Sequence, residues 1–219
     1  MRKIQSNPSI NHKLLFCGEI EVYVNDEVSG SIPDNGSMEI KIIGITGTLG
    51  SGKGEVSAFL RSKGLAYFSV RDFMTKELKR RGLPIIRSSM TDLADELRKT
   101  HGPSYIIETL YAEALRGGKP AIIESVRVKG EADFLKSHGA FLIAVDADPK
   151  IRYERIRARK SDLDHVTYET FLSDEQREMD SVEPNRGNIR DCMRRADVVL
   201  KNSGTLEELH RQVEKVLPK

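Results

Sequence analysis

Glu39-Ile40-Lys41-Ile42-Ile43-Gly44-Ile45-Thr46-Gly47-Thr48-Leu49-Gly50-Ser51-Gly52-Lys53-Gly54 joins two patterns end to end. Ile40, Ile42, Ile43 and Ile45 make an apolar run of the kind that forms a buried strand. Gly47-x-x-Gly50-x-Gly52-Lys53 is a glycine-rich turn, and the residues after it put Val56, Phe59 and Leu60 on one face of a helix. Strand, glycine loop and helix in that order form the setting of a phosphate-binding P-loop. Glycines let backbone N–H groups converge without Cβ clashes, the helix N-terminus adds partial positive charge, and Lys53 adds a full one. The expected phosphate contacts are Gly47, Gly50, Ser51, Gly52, Lys53, Gly54 and Glu55.

The rest of the chain sets limits on what such a loop can serve. Its 219 residues suffice for one α/β domain with an appendage. A net charge of +2 gives no electrostatic ground for nucleic-acid or membrane binding. No apolar run reaches the length of a membrane span, and the N-terminus lacks a signal-peptide core, so a cytoplasmic protein is expected. Cys17 and Cys192 lack metal-ligand spacing and are expected to stay reduced.

Residues 1–37 differ from the remainder of the chain, being polar and turn-rich around one apolar patch, Leu14 to Val24. They are expected to form an arm or small β element, one strand or a hairpin with Val28 and Ile32, ahead of a domain over 38–219. Beyond the P-loop helix, strands are expected at Ala66–Val70, Pro120–Glu124, Ala140–Val145 and Val198–Leu200. Helices are expected at Thr91–Arg98, Tyr105–Arg116, Val128–Ser137 and Tyr168–Met179. Asp148-Pro149 signals the start of a strongly basic helix, with Asp as N-cap and Pro at the first position. Thr205-x-x-Glu208 is a capping box opening the last helix, with Leu206, Leu209, Val213 and Val216 as its buried stripe. Strands alternating with helices predict a five-stranded parallel sheet covered on both faces.

Ligands of such sheets sit beyond the carboxyl ends of the strands. That edge collects the P-loop, Arg71-Asp72, Glu124 with Arg127, Asp146 with Asp148, and Asn202. Cations for phosphate oxygens and carboxylates for metal-bound water or an acceptor proton are what phosphoryl transfer requires.

The Gly52-Lys53-Gly54 form, together with this order of rim residues, resembles the adenylate-kinase-related and dephospho-CoA-kinase-like P-loop kinases over about residues 38–217. Gly54 stands where many P-loops carry a metal-binding Ser or Thr, so the loop itself offers no hydroxyl there. The resemblance implies ATP and Mg²⁺ as cofactors and a small-molecule nucleotide acceptor. It implies Lys53, Asp72, Arg127, Arg155 and Arg159 as catalytic residues, with Asn202 packing on the base. Asp72 and Glu124 would meet Mg²⁺ through water. Glu124-Ser-Val-Arg127 is similar to the family's Asp-Gly-x-Arg, and Thr75 occupies the place of an arginine common in relatives. An acceptor-binding insert is expected over about 71–117 and a lid over about 155–195. The acceptor could be a nucleoside monophosphate or dephospho-CoA. A regulatory module with slow ATP hydrolysis, and a grip on RNA by the basic helix, are further readings. The oligomeric state is left open.

Overall fold

The computed structural model describes residues 12–16, 21–25, 42–158, 167–181, 183 and 185–217. In chain order these form β1 (His12–Phe16), β2 (Glu21–Asn25), β3 (Ile42–Gly47), α1 (Lys53–Ser62), β4 (Ala66–Ser69), α2 (Val70–Arg80), α3 (Arg87–His101) and α4 (Tyr105–Arg116). The second half contains β5 (Ala121–Glu124), α5 (Lys129–Ser137), β6 (Phe141–Asp146), α6 (Pro149–Ala158), α7 (Tyr168–Met179), α8 (Ile189–Arg195), β7 (Val198–Lys201) and α9 (Leu206–Val216).

The strand order is β1-β2-β7-β6-β3-β5-β4. The five strands from β7 to β4 pair in parallel, as expected, and the β1–β2 hairpin adds to the β7 edge antiparallel. Alternation along the strands splits the core in two. Ile43, Ile45, Ile122, Ile143, Val145, Val198 and Leu200 face α1 and α9, packing on Val56, Leu60, Leu209 and Val213. Ile42, Ala121, Ile123, Leu142 and Ala144 face the other way, onto α2 to α5 and α8. The P-loop strand β3 is the centre of this arrangement, flanked by β5 and β6. Both neighbours run parallel to it, so three strand ends meet at one edge.

Local chemistry accounts for most boundaries. Lys150 N–H donates to Asp148 Oδ1 at 2.9 Å, which caps α6 as the Asp-Pro pair predicted. Thr205 and Glu208 complete the capping box of α9. Val70 begins α2 instead of ending β4, because the Ser69 hydroxyl accepts the Asp72 N–H and caps the helix one residue earlier. Leu206, assigned to the buried stripe of α9 from periodicity, is exposed at 45%. The helix α8 was hidden in a polar stretch, yet its Ile189 and Cys192 are buried, Cys192 in the core cluster of the sheet. Burial pushes the Cys192 thiol well above its ordinary range.

Val28, Ile32, Met38 and Ile40 lie outside the described residues. The hairpin meets the parallel sheet through two register pairs, Tyr23 with Val199 and Val24 with Val198. A chain beginning at Met38 is therefore expected to fold and to bind ATP within a few-fold of the full chain. Thermal melting and nucleotide titration check this, and a molten truncated protein would contradict it.

Candidate active site

The loop after β3 is a cradle that side chains would fill. Gly47, at φ 136°, lies so close to β6 that a Cβ would stand 2.0 Å from the Val145 carbonyl oxygen. A Cβ on Gly52, at φ 95°, would stand 2.2 Å from Asn202 Nδ2. That amide belongs to the turn after β7. It donates to Ser51 O at 2.8 Å, while the Asn202 backbone N–H donates to Asp146 O at 2.7 Å. Asn202 is 6% exposed and so braces the loop from behind. Lys53 Nζ donates to Gly47 O and Thr48 O at 2.9 and 2.7 Å, which holds its ammonium at the loop. Ser51 Oγ is buried without a hydrogen-bond partner. Such an orphaned hydroxyl, in a glycine loop at a helix N-terminus, fits the phosphates of a nucleotide.

Two carboxylates flank the loop. Glu124, at the end of β5, accepts from Ser57 Oγ at 2.8 Å and Tyr67 Oη at 2.7 Å, both on Oε2. Burial and the bond to Glu124 raise the Tyr67 phenol to about 12, so it remains a donor. Asp146, at the end of β6, accepts from Thr48 Oγ1 at 2.9 Å and Lys201 Nζ at 3.0 Å. Among the described residues no three His, Cys, Asp or Glu side chains converge as a metal cage. One or two carboxylates beside phosphates is how Mg²⁺ is ordinarily held, and both protein bonds to the Glu124 carboxylate fall on Oε2, so the donor set fits that ion.

The arginines separate into different tasks. Arg152, unremarked in the sequence beyond its place in a basic helix, is 3% exposed. It donates to Ala147 O at 2.8 Å and Leu49 O at 3.2 Å and forms a bidentate pair with Glu175 of α7. The P-loop is thus tied to α6 and α7 by one guanidinium. Arg155 donates to Asn202 O at 2.9 Å, so it supports the brace. Arg157 pairs with Glu154, and Arg159 lies outside the described residues. Arg152 and Arg155 are thus engaged within the fold, whereas Arg157 is exposed beside Glu154.

Arg127 follows β5 with its backbone fixed at both ends. Its N–H donates to Glu131 Oε2 at 2.8 Å and its carbonyl accepts from Asn188 N–H at 2.8 Å. Glu131 is fully buried and is itself held by Arg98 of α3 at 2.8 Å. The Arg127 guanidinium meets Glu178 of α7 at 3.1 Å, and Arg87 at the start of α3 meets the same carboxylate at 2.8 Å. Burial pushes the Glu178 carboxyl up, but the two guanidiniums outweigh it and hold it below the usual range. Arg87 and Glu178 line a cleft with Thr48, Leu49, Phe171, Met179 and Ile189, directly beside the P-loop, and Arg127 reaches its edge through Glu178.

Asp72 is exposed in the first turn of α2. Its strand is not next to β3, since β5 intervenes. Gly54 and Glu55 are exposed at the start of α1, and the Thr75 hydroxyl turns back to Arg71 O. Arg87, Arg152, Glu175 and Glu178 escaped sequence reading because single charged residues on helices carry no spacing signal.

A family model described as an AAA domain matches residues 43–182. The chain belongs to this family. It is 30% identical to a UPF0200 protein of Pyrococcus horikoshii over 186 residues, 81% of this chain and 96% of that protein. A UPF0200 protein of Hyperthermus butylicus is 32% identical over 178 residues, 80% of this chain and 92% of that one. Among solved structures, TT1252 from Thermus thermophilus superposes with a TM-score of 0.53 at 23% identity, covering 80% of this chain and 95% of that one. Shikimate kinase from Bacteroides thetaiotaomicron gives 0.50 at 13% identity, covering 80% and 97%. The fold is that of P-loop kinases. No helix among the described residues is long and apolar enough to cross a membrane.

One residue of this site is strained. Ser125, between Glu124 and Arg127, adopts φ 79°, the left-handed region that costs an L-residue about 1–2 kcal/mol. Its N–H and that of Val126 both donate to Ile45 O, at 3.0 and 3.1 Å, which enforces the turn. Ser125→Gly is expected to stabilise the protein by about 0.5–1 kcal/mol, because glycine's freedom in the unfolded chain offsets part of the relief. That corresponds to roughly 2 °C in Tm for a chain of this length, readable by calorimetry, whereas a lower Tm would mean that the hydroxyl contributes more than the strain costs.

Proposed function

We propose that this protein is a kinase that transfers the γ-phosphoryl group of ATP, with Mg²⁺, to a nucleotide-type acceptor, in the manner of a nucleoside monophosphate kinase. The observation that carries this reading is the continuity of the P-loop cradle with an arginine-bearing cleft. A module that only binds nucleotide needs the cradle and has no use for the cleft.

In this reading the loop N–H groups and Lys53 hold the β- and γ-phosphates, and the Ser51 hydroxyl gains the partner it lacks within the protein. Mg²⁺ would neutralise charge on the phosphates, with Glu124 ordering its water and Asp72 a second candidate from the far side of β5. Asp72 would also take the acceptor's proton. Arg127 would meet the acceptor and the charge that develops during transfer. Arg155 would fix Asn202 at the base-binding turn, and Arg159 would join from the lid. The insert over 71–117 contains α2 to α4. Within 155–195, α7 is the part suited to act as a lid, because α8 belongs to the core.

Two variants test the assignment. Lys53→Ala is expected to fold and to lose about 10²-fold or more in turnover, since one such electrostatic contact is worth roughly 3 kcal/mol. Asp72→Asn is expected to bind ATP within a few-fold of wild type and to lose roughly 10²-fold in acceptor phosphorylation. Ser69 already caps α2, so no capping role for the Asp72 side chain obscures the result. Full turnover in a folded Lys53→Ala protein would end the kinase reading. Full turnover in Asp72→Asn would move the proton acceptor elsewhere on the rim.

A further inference from the structure

Three elements that share no strand pairing converge on one carboxylate. Arg87 comes from α3, Arg127 from the loop after β5, and Glu178 from α7. Arg87 Nη2 donates to Glu178 Oε1 and Arg127 Nη1 to Oε2, so each guanidinium holds a separate oxygen. This is the geometry in which two arginines grip a phosphate monoester, whose oxygens can be shared between forked donors in the same way. The other acids of the cleft are otherwise employed, Glu175 on Arg152 and Asp174 near Arg177. Arg127 is not a loose surface residue, because buried Glu131 and Asn188 fix its backbone.

We infer that Glu178 is an internal stand-in for the acceptor's phosphate, filling a clamp made by Arg87 and Arg127 and leaving it when a phosphomonoester binds. The inference rests on the kinase reading above. One carboxylate charge against two guanidiniums leaves the clamp with a net positive charge. A phosphate dianion satisfies both, whereas a neutral or singly charged ligand gains little by displacing Glu178. The residue thereby selects doubly charged acceptors. When Glu178 leaves, α7 stays anchored by Glu175 on Arg152 and by its C-cap Asp180 on Arg190 of α8.

The test uses the full-length chain with its P-loop filled by Mg²⁺ and a non-hydrolysable ATP analogue, titrated with inorganic phosphate at constant ionic strength. Glu178→Gln, which keeps the volume and removes the charge, is expected to bind phosphate about tenfold more tightly than wild type. Glu178→Ala should change affinity in the same direction. Adding Arg87→Met to Glu178→Gln should abolish the gain. If Glu178 only braces α7, both single variants will melt earlier and bind phosphate no more tightly, which overturns the inference. Failure of the analogue to bind wild type would remove the kinase reading and this inference together. A bound analogue with no gain in phosphate affinity would remove the inference alone.

Discussion

The architecture depends on the absence of a side chain at Gly47 and Gly52. At these points the loop passes within contact of the β6 backbone and the Asn202 amide, and a methyl group at either would drive the loop from its place. Close passage is what lets Asn202, Arg152 and Asp146 brace the loop from three sides. A loop so held is fixed before any ligand binds, and little reorganisation remains to be done when charge arrives. The parallel sheet serves this end by bringing β5, β3 and β6 to one edge, with a carboxylate on each side of the P-loop strand.

A second layer of order is ionic and lies behind the two arginines that hold Glu178. Buried ion pairs stabilise little overall, because desolvation cancels most of the attraction. The Arg98–Glu131 pair is better understood as a positioning device. Glu131 spends one oxygen on Arg98 and the other on the N–H groups of Arg127 and Val128, so α3 and the loop after β5 move as a unit. Removing either partner would leave the other charged in an apolar core. The strain at Ser125 belongs to the same turn, which is held by two hydrogen bonds to the P-loop strand itself. The cleft is thus fixed on its arginine side and the P-loop side, and α7 supplies the wall joined to both through carboxylates.

Much of this was legible in the sequence, for physical reasons. Periodicity located the strands because the central ones, β3, β5 and β6, are buried on both faces, and Asp148-Pro149 and Thr205-x-x-Glu208 located helix starts because capping is a local interaction. The rule that ligands sit at carboxyl strand ends gathered the P-loop, Glu124, Arg127 and Asn202 from residue order alone. What escaped was long-range. Arg152 looks like its neighbours in a basic helix, yet it points inward, and nothing local says so. Arg87 and Glu178 are 91 positions apart and acquire meaning only through contact. Asp72 was gathered to the same edge as the P-loop, but β5 lies between their strands, and strand order is not written in any single segment. The helix α8 met the same limit, since seven residues with Ile189 and Cys192 as the buried pair give too short a pattern to read.

The central claim is that the cradle and the cleft together transfer a phosphoryl group and do not merely hold nucleotide. The direct measurement is ADP formation from ATP and Mg²⁺ by the full-length protein, with a panel of nucleoside monophosphates and dephospho-CoA as acceptors and phosphorylated product identified in each case. The account predicts ADP formation that depends on one class of acceptor, is strongest with a nucleoside monophosphate, and is matched mole for mole by phosphorylated acceptor. Slow ATP hydrolysis at a rate indifferent to every acceptor would contradict it.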